Sequence, residues 1–159
     1  MVATLLTLET THGIIRLRLL PTSAPQTVAH IINLVQSKTY DGTSFYRSDF
    51  ALQFGLHGST KHNPYDDLTI NETGGPVGNR NLISNTRGTV AVAHFDVPDN
   101  GNSELFINLT DNPHLDTVYG GYCVFARVEG AESFDVVNRV ADAVKRVGRV
   151  DIHSARMSE

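Results

Sequence analysis

A series of short strand-like runs, separated by turn-forming residues, constrains what this 159-residue chain can fold into. The run IIRLRLL (14–20) alternates apolar residues with arginines, the period of two that indicates a strand with one solvent-facing side. A closing run, RVDIHSARM (149–157), predicts a strand with Val150, Ile152 and Ala155 facing inward. Between clusters of Gly, Pro, Asn and Asp, further apolar runs lie at FYR (45–47), FALQF (50–54), TVAVAHF (89–95), ELFINL (104–109) and YCVFARV (122–128).

Two segments, far apart in the chain, carry the apolar period of a helix. In the first, PTSAPQTVAHIINLVQSK (21–38), Ser23 is placed to open a capping box. The second, SFDVVNRVADAVKRVG (133–148), is predicted to be capped by Ser133 and stopped by Gly148. About eight strands and two helices, without regular alternation between them, predict a mainly β fold: an antiparallel closed barrel capped by two α-helices.

Length and composition indicate one globular domain spanning residues 1–159. Apolar residues make up 40% of the chain, and no run of about 18 apolar residues could span a membrane. The opening residues, MVATLLTLETTHG, have the pattern of a strand and not of a signal peptide. A lone cysteine, Cys123, cannot form an internal disulfide, so we expect an intracellular, cytoplasmic protein without a membrane partner.

The charge of the chain argues against nucleic acid as a partner. A formal net charge of -4 provides no basic field that could attract a phosphate backbone. Lys145, Arg146 and Arg149 form a small basic cluster, which is interpreted as the solvated end of the second helix.

The stretch SFYRSDFALQF (44–54) sets one arginine among aromatic and aliphatic residues. Because a guanidinium keeps its charge at physiological pH, Arg47 is an unusual residue for a core segment. By residue type alone, such an arginine most often packs its stem on apolar surface or stacks on an aromatic ring. The other interpretation is a permanent hydrogen-bond donor placed beside an apolar binding site.

Two further groups of residues have the chemistry of a site without its spacing. The residue types of a hydrolase triad occur without the strand–turn–helix elbow that presents a nucleophilic serine. A set of metal-ligand types matches no helix-borne or strand-borne pattern. These groups are His94, Asp96 and Ser103 for the triad and His57, His62, Asp66 and Asp67 for the metal. We expect neither a hydrolase nor a metal site.

Several blocks of sequence together resemble a known family. They are FYR followed by FALQ, NTRGTVAVAH (85–94), NSELFINLTDNPHLD (102–116) and GYCVFARVEG (121–130). In order and spacing they are similar to the cyclophilin family of peptidyl-prolyl cis-trans isomerases, and most similar to its compact bacterial-type members. The resemblance covers nearly the whole chain and implies an eight-stranded antiparallel barrel capped by two helices, with no cofactor.

The resemblance also implies an active site. By match to the family's motif, Arg47 is the catalytic arginine. The proline-pocket positions are Phe50, Ala51, Phe106 and Leu115, and the positions around it are Gln53, Ala93, His94, Glu104, His114 and Tyr122. The implied activity is rotation of X-Pro bonds in exposed segments of proline-containing peptides or proteins, which assists protein folding.

The chemistry of this rotation explains why such residues belong together. Turning an X-Pro bond faces a barrier of about 18–20 kcal/mol, because amide resonance must be broken. In the twisted transition state the prolyl nitrogen loses its conjugation and becomes a hydrogen-bond acceptor. A fixed donor such as Arg47 therefore binds the transition state more strongly than the ground state.

Some positions depart from the family's pattern. The link between Arg47 and Phe50 is shorter than usual, and Ala51 stands where methionine is common, which predicts a wider pocket floor. Glu104 replaces a glutamine and is expected to pair with Arg47 at short range. His114 replaces a larger aromatic residue, so tight cyclosporin binding is not expected. Two hypotheses therefore stand: an active isomerase, or a binding subunit of a larger assembly with little catalysis.

Overall fold

Antiparallel strands closed into a barrel form most of the structure. The computed structural model describes residues 3–65, 83–94 and 101–159. The strands in these ranges are β1 Leu5–Thr10, β2 Gly13–Leu19, β3 Thr43–Ser48, β4 Ala51–Gly55, β5 Thr89–Val92, β6 Leu105–Asn108, β7 Val124–Val128 and β8 Val150–Ser158. They pair in the order β1-β2-β7-β5-β6-β4-β3-β8, and the ring closes where β8 pairs with β1. The predicted barrel is confirmed.

Two helices, α1 Pro25–Gln36 and α2 Ala131–Val147, pack on this barrel. α1 lies against β8, and α2 lies against β2 and β3. Gly148 ends α2 in the left-handed conformation that glycine adopts without strain, as predicted. In the described part of the chain no helix is both long and apolar enough to cross a membrane.

The predicted N-terminal caps of both helices were wrong. Ser23 and Ala24 both donate their backbone N–H groups to Leu20 in a turn before α1, so the N-cap residue is Ala24. Pro25 then begins the helix at the position where its missing N–H costs least. The N-cap of α2 is Gly130, and Ser133 lies buried in the first turn.

Ser133 has a different structural role. Its Oγ atom accepts a hydrogen bond of 2.9 Å from the backbone N–H of Arg16 on β2. The side chain therefore ties α2 to the barrel wall, and a buried hydroxyl is satisfied by a strand donor in place of a helix N–H.

Alternating residues of the wall strands separate the barrel interior from a second apolar cluster outside it. Leu52 and Phe54 of β4 point into the main core, which fills the barrel and continues under both helices. Ala51 on the same strand points outward. Because strand side chains alternate in direction, β5 and β6 contribute Ala91 and Phe106 to the outer face in the same way. The outer cluster is completed by Leu115 and Val124.

Candidate active site

A cleft of about 470 Å³ lies over this outer cluster. Its walls are Arg47, Phe50, Ala51, Gln53, Ala93, His94, Phe106, His114, Leu115, Val118, Tyr119 and Tyr122. The structure thus brings together all the site residues expected from the sequence except Glu104, which lies behind the wall. The size is within the range of about 300–1,000 Å³ that is typical of ligand pockets.

The floor of the cleft is apolar and closely packed. Phe106 is only 4% exposed, and Leu115 and Ala51 are also buried. The ring of Tyr122 meets Phe106 edge-on, with 5.7 Å between the ring centroids. The ring of His94 stacks on that of Tyr122, with 4.0 Å between the ring centroids, and its Nε2 donates to the carbonyl of Gly121. Such a surface can hold an apolar ring without offering it a charge.

Burial raises the pKa of Tyr122, and the nearby Tyr119 adds to this shift. The phenol therefore remains protonated at neutral pH and can serve as a hydrogen-bond donor at the edge of the cleft.

Arg47 stands at the end of β3, directly opposite Gln53 on β4. Its Nε atom donates to Asp49 Oδ2 at 2.8 Å, and its Nη1 atom donates to Gln53 Oε1 at 3.2 Å. The guanidinium carbon lies 5.3 Å from the centroid of the Phe50 ring. Among the described residues, Nη2 has no hydrogen-bond partner, so this edge of the guanidinium is available to a ligand.

The short link between β3 and β4 determines how Arg47 is held. Asp49 accepts a hydrogen bond from the backbone N–H of Ala51 through its second carboxylate oxygen, at 3.1 Å. The side chains of Arg47 and Asp49 are 47% and 44% exposed, so their ion pair adds only about 0–1 kcal/mol of stability. Its effect is to orient the guanidinium. Asp49 was not among the residues predicted from the sequence.

Glu104 does not form the direct ion pair with Arg47 that the sequence suggested. Its carboxylate is surrounded by four donors on the far side of the wall: the hydroxyls of Tyr46 (2.8 Å) and Ser103 (2.8 Å), and the backbone N–H groups of Leu56 (3.0 Å) and His57 (3.1 Å). A Cβ atom at Gly55 would lie 2.5 Å from Glu104 Oε1, so only glycine leaves room for this arrangement.

Tyr46 connects Glu104 to the cleft. Its hydroxyl donates to Glu104 and accepts a hydrogen bond of 2.9 Å from Gln53 Nε2. Burial raises the pKa of Tyr46 well above its usual value, and the carboxylate of Glu104 raises it further. The hydroxyl is therefore protonated at any physiological pH, and its single hydrogen has a defined acceptor.

The cleft has two wall residues that sequence patterns did not indicate. Val118 and Tyr119 lie in a short 3-10 turn, Val118–Gly120, that follows the turn Pro113–Asp116. Tyr119 has a φ of +53°, and this conformation turns the chain back so that the N–H of Tyr122 reaches the carbonyl of Leu115. No apolar period marks this segment, so only the tertiary structure reveals its place at the cleft.

The other two candidate groups lie only partly within the described residues. Ser103 donates its hydroxyl to Glu104, and His94 stacks on Tyr122. In the ranges 3–65, 83–94 and 101–159 no group of three or more potential metal ligands occurs. Asp66, Asp67 and Asp96 lie outside the described residues.

The fold and the cleft define the class of protein. A closed antiparallel barrel with two packed helices, and an outward-facing apolar pocket beside an arginine, is the architecture of a cyclophilin. The family described as cyclophilin type peptidyl-prolyl cis-trans isomerase/CLD matches residues 5–157. The chain belongs to this family, and the resemblance seen in its motifs is confirmed. Family membership makes it a peptidyl-prolyl cis-trans isomerase.

Individual relatives agree with this placement. The chain is 31% identical to peptidyl-prolyl cis-trans isomerase B of Escherichia coli, over 94% of this chain and 90% of that protein. It is 37% identical to peptidyl-prolyl cis-trans isomerase cyp18 of Streptomyces antibioticus, over 91% and 89% of the two chains.

A solved structure extends the agreement to the fold. The crystal structure of a cyclophilin type peptidyl-prolyl cis-trans isomerase from Cryptosporidium parvum, in the presence of the dipeptide Ala-Pro, superposes with a TM-score of 0.77. It is 15% identical and covers 98% of this chain and 99% of its own, so the likeness concerns the architecture.

Proposed function

We propose that the cleft holds the proline ring of an X-Pro bond and that Arg47 catalyses rotation about this bond. The observation that carries the proposal is the position of the guanidinium. It lines the same cleft as the apolar floor of Phe106 and Leu115, and its Nη2 edge has no hydrogen-bond partner among the described residues. A ring seated on the floor would bring its nitrogen toward a donor that stays charged at physiological pH.

The rotation requires differential hydrogen bonding and no covalent step. As the bond twists, the prolyl nitrogen gains a lone pair that Arg47 can bind, and this bond is absent from the planar ground state. Gln53 Nε2 uses one N–H on Tyr46, and its second N–H is available for a backbone carbonyl of the substrate. Holding that carbonyl fixes the part of the substrate that must not turn.

The rim of the cleft indicates the kind of substrate. Among the described residues the exposed large apolar side chains are Phe50 (39%), Val118 (37%), Tyr119 (57%) and Val147, and the first three line the cleft. Exposed apolar groups that cluster at one site usually mark a binding surface. We therefore propose that its substrates are peptide segments in which an apolar or aromatic residue flanks the proline.

The protein is expected to accelerate cis-trans exchange of a short Ala-Pro-Phe peptide above its uncatalysed rate. Exchange spectroscopy by NMR measures this directly, without a coupling protease. A rate equal to the uncatalysed one would overturn the catalytic proposal. If the rate is uncatalysed but the NMR signals of the cleft residues shift on adding peptide, the result would favour the alternative of a binding subunit with little catalysis.

Tyr119→Ser is expected to reduce the preference for Ala-Pro-Phe over Ala-Pro-Ser. Partial burial of an aromatic ring contributes about 1 kcal/mol, so the ratio of the two kcat/KM values should fall about fivefold. Val147→Ser is the matched control, because Val147 is equally an exposed apolar residue but lies on α2. An unchanged ratio in Tyr119→Ser would contradict the proposed role of the rim in substrate preference. It would not bear on the proposed catalytic role of Arg47.

The cellular setting is a further part of the proposal. Cys123 is the chain's single cysteine; it is buried and forms no disulfide. With one cysteine the chain cannot form an internal disulfide, and such cysteine usage suits a reducing, intracellular compartment. Localisation of a tagged full-length chain by fractionation would test this assignment.

A further inference from the structure

We infer that Glu104 and Tyr46 are positioning residues that set the direction of a hydrogen-bond chain ending on Arg47. The inference rests on the proposed catalytic role of Arg47. The chain of side chains runs from Glu104 through Tyr46 and Gln53 to Arg47, with steps of 2.8, 2.9 and 3.2 Å. We call these four residues the positioning chain.

The direction begins at Glu104. Each of its carboxylate oxygens accepts two hydrogen bonds: Oε1 from Tyr46 and His57, and Oε2 from Leu56 and Ser103. The two backbone N–H groups can only donate, and an ionised carboxylate can only accept. The hydroxyl of Tyr46 must therefore give its single hydrogen to Glu104.

The donor–acceptor direction at Tyr46 also fixes the direction of the hydrogen bonds from Tyr46 to Arg47. With its hydrogen committed, the Tyr46 oxygen can only accept, so it must face the Nε2 group of Gln53. The carbonyl oxygen of the Gln53 amide is then turned toward Arg47 Nη1. The reverse amide orientation would set the two Nε2 hydrogens against the donors of Arg47 and leave two oxygens facing each other at Tyr46.

A glutamine at position 104 would not impose this order. Its amide can donate or accept, so Tyr46 could point either way and the Gln53 amide could adopt both orientations. A carboxylate at 104 selects one of them. Glu104 does not line the cleft, and its side chain is connected to Arg47 through Tyr46 and Gln53.

The result is a guanidinium held at two of its nitrogens. Gln53 holds Nη1 and Asp49 holds Nε, while the Nη2 edge stays on the open side. A donor that is already oriented loses little freedom when the transition state forms, so the positioning chain should act on kcat more than on KM.

Glu104→Gln and Tyr46→Phe are each expected to lower kcat severalfold on the Ala-Pro-Phe peptide, with KM nearly unchanged. The double variant should be no slower than Tyr46→Phe alone, because both changes interrupt the same chain. Two matched controls are available. Tyr40→Phe removes another buried hydroxyl, which donates to the Ser103 carbonyl, and Glu129→Gln removes a carboxylate that pairs with Arg18.

A second measurement does not depend on catalysis. In the wild type, ¹⁵N NMR of the Arg47 guanidinium, assigned with Arg47→Lys, should show two distinct Nη signals because rotation about the Nε–Cζ bond is restricted. Glu104→Gln and Tyr46→Phe should bring the two signals toward one average, while both controls leave them separate.

The outcomes separate this inference from the proposed function. If both variants keep two Nη signals and the wild-type kcat, the positioning role is overturned. If the wild type shows no catalysis but the variants still merge the Nη signals, the proposed function fails while the positioning of Arg47 stands. A fall in kcat that Tyr40→Phe reproduces equally would also overturn the inference, since it would indicate a general structural effect.

Discussion

Arg47→Ala is expected to lower kcat/KM for an Ala-Pro-Phe peptide by roughly 10- to 150-fold. A hydrogen bond to a charged group contributes about 1.5–3 kcal/mol, and each 1.4 kcal/mol of transition-state binding is a factor of ten in rate. The loss should appear mainly in kcat, because the nitrogen lone pair that we propose Arg47 binds develops only as the bond twists. Exchange spectroscopy over a series of peptide concentrations separates kcat from KM.

Arg156→Ala is the control for this experiment. Arg156 is an exposed arginine paired with a carboxylate, Glu9, and so matches the pairing of Arg47 with Asp49 on another part of the barrel. It should leave both constants unchanged. Equal activity of Arg47→Ala and the wild type would contradict the assignment of Arg47 as the catalytic residue, whatever the overall rate.

Phe106→Ala is expected to cost about 3–5 kcal/mol of unfolding free energy and to raise KM strongly. Phe106 is buried at 4% exposure in the floor of the cleft and contacts the ring of Tyr122, so its loss opens a cavity beneath the proposed proline site. Urea denaturation measures the stability change, and peptide titration measures the change in KM.

A milder pair of variants keeps the result interpretable if Phe106→Ala does not fold. Phe106→Leu and Phe45→Leu make the same chemical change, but Phe45 points into the barrel core and is fully buried. Both should lose stability, and only Phe106→Leu should raise KM. A rise of the same size in Phe45→Leu would show that the effect on KM reflects stability and not the cleft.

The short link after Arg47 has a clear structural consequence. Only Asp49 and Phe50 lie between β3 and β4, and Asp49 is within reach of the guanidinium and of the Ala51 N–H at the same time. The turn thus supplies its own carboxylate to orient Arg47. With this connection Arg47 lies on the wall of the cleft, opposite Gln53.

Local patterns of apolar alternation were sufficient to predict the barrel because they recur in strand after strand along the chain. The alternation in 14–20 places Ile15 and Leu17 inside and Arg16 on the other face. Helical periods located both helices, although their first residues were predicted incorrectly. The caps failed because a turn at Leu20 and the glycine at 130 determine where the helices begin, and neither residue stands out in the apolar pattern.

The sequence by itself determined the family, the barrel and the set of residues that motif order assigns to the cleft. Only the tertiary structure decided which partners those residues have. Tyr46 and Glu104 are 58 positions apart in the chain, and the turn at Tyr119 adds a wall that no period predicts. The physical reason is that hydrogen-bond partners depend on distances of a few tenths of an ångström between separate strands, which the alternation along any one strand does not encode.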